Sequence, residues 1–406
     1  MAKKTIVIIG GGAAGMFAAL VCAKQAPQKH VILLEKTRQL LAKVRISGGG
    51  RCNVTHAQFD PKLLIQNYPR GAKELLGPFH RFQPKDTIQW FLERGVKLKT
   101  EEDGRMFPIS DSSETITQCL ISEARKYHVE IRTEQKIKEI DSIGPGFKIH
   151  FENDSFLECS RLLLATGSSP QGYGFAQQMG HTLISPVPSL FTFNVPSSPL
   201  LDLSGIAVED AEICLKETKF KQRGPLLLTH FGFSGPATLK LSAWAARELH
   251  EKQYKAEISI NWLPSFSKDH IAQRLLSLKK DKPLKHLENE NLFFLPSNLW
   301  KRLIHIADIK ERTAISHLSN PHLQKLSELL SQSTFRVEGK TTNKQEFVTS
   351  GGIDLKEIDF KTMQSRKLPG LYFAGECLNI DGITGGFNFQ NAWTTGWIAA
   401  HAMAEQ

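Results

Sequence analysis

The run TIVIIGGGAAGMFAALVCAK, from Thr5 to Lys24, constrains this chain more than any other stretch. Thr5 to Ile9 are all β-branched, the composition of a strand buried on both faces. Gly10, Gly12 and Gly15 follow in the spacing G-x-G-x-x-G, with Ala14 inside the turn. In such a turn the first glycine allows the tight bend, the second lets a pyrophosphate reach the backbone, and the third lets the helix pack on the strand. The helix, predicted from about Ala13 to Lys24, aims its positive end at those phosphates. A second strand, HVILLEK, ends at Glu35, where a carboxylate can hold both ribose hydroxyls of an adenosine, with Lys36 next to it. MAKK and the apolar run after it imitate a signal peptide or a membrane span. The glycines interrupt that run, so no targeting signal and no membrane segment are expected.

This turn serves NAD and FAD alike, and two later segments favour FAD. RLLLATGSS (Arg161 to Ser169) is an apolar strand ending at Thr166 and Gly167. GLYFAGECLNIDGITGGFNFQNAWTTGWIAAHAMA (Gly370 to Ala404) reads as a strand, a glycine-rich loop and a closing helix from about Phe389. FAD is long, and its flavin end needs a second holding point. The loop supplies Gly375, Glu376, Asp381, Gly385, Gly386 and Asn388. Asp381 is placed to take ribityl hydroxyls, and the helix dipole is placed to face the flavin edge where negative charge collects.

After about Pro188 the strand–helix alternation fades. FTFNVPSSPLLDLSGIAVEDAEICLKE alternates as a half-buried antiparallel sheet does. GPLLLTHFGFSGPATLKLS reads as strand, turn and helix, with His230 in the turn as a candidate substrate-side acid. The expected architecture is α/β: a Rossmann-like FAD-binding domain interrupted by an inserted β-rich unit and a helical unit. The boundaries read 1–190, 191–264, 265–334 and 335–406, the last returning to the FAD-binding domain.

Six cysteines lack any C-x-x-C spacing, which argues against a metal cluster, a disulfide framework or a dithiol mechanism, and for a reducing, cytoplasmic setting. The net charge of +10 has two readings: a solvated basic surface, or a polyanionic partner. The cations gather in Pro61 to Lys99 and in Ser265 to Ser331, the latter with eleven Lys and Arg against seven acids.

The chain resembles the BaiN-like family of FAD-dependent oxidoreductases along essentially its whole length. The resemblance rests on GGGAAG, SGGGRCN (Ser47 to Asn53), GRMFPIS, ATG, GHTLISPVPSL, LLLTHFGFSGPATLKLS, VTSGGI and the C-terminal loop, in that order. Asn379 and Phe387 depart from the family's usual Asp and Tyr. The resemblance implies that Ser47, Gly48, Gly49, Gly50, Arg51 and Asn53 run along the pyrophosphate and flavin. Arg51 and Lys43 would offset anionic charge, and Cys52 would sit at the flavin's reactive edge as a proton donor. It also implies an activity: hydride transfer from flavin to a uridine of large-subunit rRNA, giving dihydrouridine. A steroid-like or aminoketone metabolite is the alternative substrate. A non-catalytic RNA assembly factor with structural FAD is a third reading. No second dinucleotide motif is present, so NAD(P)H is expected only as a transient electron donor.

Overall fold

The computed structural model describes residues 5–342 and 348–405. They form two compact units, one running to Val187 and resuming at Val348, the other beginning at Pro188 and ending at Thr342.

The first unit is built on a sheet whose parallel core has the order Leu371–Phe373, Arg161–Leu164, Thr5–Ile9, His30–Leu34, Glu130–Arg132. The β-branched first strand lies in the middle, with Ile6, Val7 and Ile8 fully buried. The helix Ala13–Gln25 follows it and is apolar almost all round, because it packs against the helix Phe387–Glu405 as well as its own sheet. The closing helix starts two residues earlier than Phe389. The segment SIGPGF is a hairpin turn between Ile137–Ile143 and Gly146–Phe151 and leads into no helix.

The second unit is a seven-stranded antiparallel sheet packed on helices. The helices Lys268–Asp281, Ser297–Ile306 and Asn320–Gln332 share one core with the sheet, around Trp262 and Trp300. The strand Ser333–Glu338, expected at the return to the first domain, instead pairs antiparallel with Lys255–Asn261. Its alternation of Ser333, Phe335 and Val337 inward explains this: one apolar face needs the insert's core. The turn of LLLTHFGFS lies at His230 and Phe231, earlier than the Gly232 to Pro236 expected, because Gly232–Ser234 is itself a strand.

His181 is buried in the first unit. Its Nε2 lies 2.7 Å from Ser365 Oγ, its ring meets Phe373 edge-on, and burial lowers its pKa below 6.5. A depressed histidine contributes full stability while the unfolded chain is also neutral. That stability is lost as pH falls below the unfolded value near 6.5. Thermal melts should therefore show stability declining below about pH 6.5, and His181→Gln should flatten that decline. An identical slope in the variant would remove His181 from the account.

Candidate cofactor site

The three motif glycines are present for different reasons. A Cβ on Gly10, at φ +112°, would stand 2.3 Å from the Ala165 carbonyl oxygen. A Cβ on Gly15 would stand 2.0 Å from the Gly10 carbonyl oxygen. Both are therefore required by the protein itself. Gly12 has an ordinary φ of −82°, and nothing lies within 4 Å of where its Cβ would be. It stands at the helix N-cap, where a phosphate would approach. Glu35 ends the second strand beside this turn. Its Oε2 accepts from Gly11 N at 2.7 Å, and its Oε1 accepts from the Thr37 N–H and hydroxyl at 2.8 and 2.9 Å. The carboxylate is thus aimed before any ribose arrives. Lys36 is exposed.

The SGGGRCN loop ends the helix Ala42–Gly50. Ser47 leaves helical geometry at ψ 147°, and Gly48, Gly49 and Gly50 then hold φ of +59°, +69° and +83°. Three successive left-handed residues are affordable only as glycine. The demand for glycine is thus set by the backbone, and at Gly48 also by packing, since a Cβ there would stand 2.9 Å from the Phe107 ring; at Gly49 nothing lies within 4 Å of a Cβ. Arg51 lies over the Phe107 ring at 3.9 Å and donates to Glu101 at 2.6 Å, with Asp111 at 3.6 Å. Its charge is directed to those carboxylates, a different role from the expected one of offsetting phosphate or reduced-flavin charge. Cys52 is fully buried at φ +63°, and burial pushes its thiol up to about 12. It is therefore protonated at working pH. The Asn53 amide accepts from Gly386 N at 3.0 Å and donates to Thr55 O at 3.1 Å, which ties this loop to the C-terminal glycines.

The C-terminal loop is anchored from several sides. Asn388 accepts from Gly382 N at 2.8 Å and donates to Gly382 O at 2.9 Å. A Cβ at Gly386 would stand 2.5 Å from Thr55 O, and one at Gly385 2.9 Å from the Phe387 ring. His56 stacks on Phe387 at 4.5 Å and bonds Gly385 O at 3.0 Å. Asp381 corrects an expectation. Its fully buried carboxylate takes a two-point contact from Arg70, Nε to Oδ1 at 2.5 Å and Nη2 to Oδ2. It therefore fixes the loop instead of presenting itself to ribityl hydroxyls. Lys43 reaches Glu376 at 2.5 Å and Ser168 at 3.5 Å, and Glu376 also accepts from Thr349 N at 3.3 Å. Gly167, at φ +58°, lies against that carboxylate, since a Cβ there would be 3.5 Å from Glu376 Oε2. Gly375 is required by packing: a Cβ on it would come 2.8 Å from Ala14 Cβ.

His230 belongs to the second unit. It is exposed in its hairpin turn, with its ring 3.8 Å from that of Phe231.

Several buried polar atoms lack a hydrogen-bond partner among the described residues: Thr166 Oγ1, Thr349 Oγ1, Ser350 Oγ, Asn379 Oδ1 and Asn391 Oδ1. Such orphans are costly unless a ligand or an ordered water satisfies them. All five lie on the segments that converge at Glu376 and Gly375 or on the closing helix that starts beyond them. Sequence reasoning missed Thr349, Ser350 and Asn391 as candidate ligand contacts. The available signal was polar residues on otherwise buried elements, next to the Gly351–Gly352 pair in VTSGGI. The residues present fit FAD. Gly12 leaves room for a pyrophosphate, Glu35 suits a ribose, and the unsatisfied hydroxyls and amides suit the polar groups of the far end. Among the described residues no cluster of His, Cys, Asp or Glu could hold a metal ion, and no helix is long and apolar enough to cross a membrane.

Fold and cradle together define an FAD-dependent oxidoreductase of the Rossmann class. The chain belongs to the HI0933-like Rossmann-domain family, whose model matches residues 4–402. It is 30% identical over 413 residues, 98% of each chain, to a ribosomal RNA dihydrouridine synthase of Escherichia coli (strain K12). It is 28% identical over 411 residues, 99% of each chain, to a 3-dehydro-bile acid delta(4,6)-reductase of Clostridium scindens. In fold it is similar to a 3-ketosteroid-delta4-(5alpha)-dehydrogenase from Rhodococcus jostii RHA1. The TM-score is 0.51 at 13% identity, over 100% of this chain and 97% of that one.

Two variants separate ligand contacts from scaffold. Gly12→Val should leave the melting temperature near wild type and abolish FAD retention, whereas Gly15→Val should destabilise the fold itself. Glu35→Ala should weaken FAD binding by about 30- to 150-fold, the value of a charge-assisted two-point contact of about 2–3 kcal/mol. Titration of apoprotein with FAD, followed by flavin fluorescence, measures both. Normal FAD binding by Gly12→Val would reject the assignment of that open space.

Proposed function

We propose that this protein reduces a uridine to dihydrouridine in large-subunit ribosomal RNA, with FAD as its cofactor and NAD(P)H as a transient electron donor, in the cytoplasm. When bound, FAD supplies two-electron reduction of a carbon–carbon double bond conjugated to a carbonyl. The observation that carries the RNA reading is the charge of the second unit's helical stretch. Lys280, Lys285, Lys301, Lys310 and Arg312 are exposed there, with no side-chain ion pair or hydrogen bond among the described residues. Unpaired cations of this kind suit a polyanion, whose binding releases counterions. The similarity to a ribosomal RNA dihydrouridine synthase over nearly the whole chain supports the same reading.

The first basic stretch supports it less. Within Pro61 to Lys99, Arg70, Arg94 and Lys99 are paired with Asp381, Glu123 and Asp111. Lys62, Lys73, Lys85 and Lys97 remain without a carboxylate among the described residues.

Reduction of such a double bond adds one hydride and one proton. Cys52 is the chain's candidate for the proton: its thiol holds its hydrogen, but protein alone encloses it, in contrast to the expected place at the flavin's reactive edge, so donation needs the loop to expose it. His230 is the second candidate and is exposed. Small-molecule reduction is the alternative, favoured by the full-length similarity to the bile acid reductase. The chemistry is shared, and the substrate differs.

Nucleoside mass spectrometry of rRNA from cells with and without the gene tests the proposal, with loss of dihydrouridine at one site as the expected outcome. Unchanged dihydrouridine, together with purified enzyme that leaves rRNA unreduced in the presence of NAD(P)H, would favour the small molecule. Cys52→Ala should keep its FAD and lose turnover. Full turnover in that variant would return Cys52 to a packing role.

A further inference from the structure

The helical stretch of the second unit presents two large apolar side chains that its core does not use. Phe294 is 93% exposed and Leu284 is 85% exposed. Phe294 also holds φ +55°, a conformation rare for a bulky residue. Its neighbour Phe293 turns inward, with its ring 5.7 Å from Phe266 and 6.3 Å from Trp300. Asn291 closes the loop by accepting from Leu295 N at 3.2 Å and donating to Leu295 O at 2.5 Å. The anchored Phe293 and the Asn291 clamp together hold Phe294 outward.

The Leu284 tip is fixed to the same region. Lys282 Nζ meets Glu290 Oε2 at 2.5 Å, Pro283 O accepts from Ser316 N at 2.9 Å, and Lys285 O accepts from Ile315 N at 2.9 Å. The same helical stretch carries exposed cations. Lys285 adjoins Leu284 in the chain. Lys310 and Arg312 border the same small cleft as Leu287 and Glu288. Lys301 is on the exposed side of the helix that follows Phe294. Glu290 is neutralised by Lys282, which leaves Asp281, Glu288 and Glu311 as the nearby acids in the sequence, against Lys280, Lys285, Lys301, Lys310 and Arg312.

We propose that Phe294 is a stacking platform for an unpaired RNA base, with the neighbouring lysines and Arg312 holding the flanking phosphates. This rests on the rRNA reading above and says where the second unit recognises its substrate. A protein partner would be met by a contiguous apolar patch. Here single exposed apolar tips occur in a stretch that also carries unpaired cations, a combination that suits bases alternating with phosphates. Stacking needs a free base face, so the platform selects single-stranded RNA over a paired duplex.

The test compares wild type, Phe294→Ala and Phe294→Trp, each with its FAD, binding a labelled oligouridine and a perfectly paired RNA duplex of equal phosphate count. Phe294→Ala should lose about tenfold in affinity for the single strand, from one lost stacking contact, with little change on the duplex. Phe294→Trp should retain single-strand affinity. The log–log salt slope should be the same in all three, because the phosphate contacts are untouched. Equal melting temperatures and FAD content check that the variants are folded. Unchanged single-strand affinity in Phe294→Ala, or an equal loss on both RNAs, overturns the proposal and assigns the ring to a protein contact. If wild type binds neither RNA, the rRNA reading itself fails. If wild type binds RNA and forms dihydrouridine and Phe294→Ala matches it, only the platform fails.

Discussion

The first unit depends on backbone touching backbone where the first helix begins. Gly15 lets that helix lie against the Gly10 carbonyl. Gly396, in the closing helix, does the same against the Ala14 carbonyl, 2.7 Å from where a Cβ would stand. Gly375 meets Ala14 from a third side. Each contact excludes a single carbon atom, and together they set how strand, helix and closing helix share one point. Gly12, Glu35 and the C-terminal loop have their positions because of that convergence.

A buried charge sits close by. Asp381 is fully enclosed, and Arg70 forms a salt bridge with it. Removing Arg70 would strand a buried carboxylate at a cost of about 3–5 kcal/mol. The pair joins the Tyr68 segment to the C-terminal loop, and the Tyr68 hydroxyl donates to Phe387 O at 2.7 Å at the start of the closing helix. The loop that would hold the flavin end is thus braced by groups that take no part in holding it.

What the sequence made legible was local: a β-branched strand, glycines at fixed spacing, an acid at a strand end. Each of these follows from a few adjacent residues and a steric rule. What it concealed was partnership. Nothing near Asp381 in the chain names Arg70, 311 residues away. Nothing near Arg51 names Glu101 and Phe107, so from the sequence a cation in a glycine loop reads as a partner of cofactor charge. The extent of the inserted sheet was hidden for the same reason, since Ser333–Glu338 has a strand's alternation but its partner is fixed only by pairing. Thr349, Ser350 and Asn391 became visible only once their burial left polar atoms unsatisfied.

The bond between Asn53 and Gly386 also has a consequence for the order of events during synthesis. The second unit is complete by residue 342, whereas the cradle joins residues near the beginning of the chain to residues near position 386. The first strand, helix and glycine loop therefore leave the ribosome long before the segment that closes them. Their pairing is a contact of very high sequence separation, which is slow to form. Until then the apolar first helix has no closing helix to cover it. The inserted unit can fold while that helix waits, so cofactor capture becomes the last act of the chain's assembly.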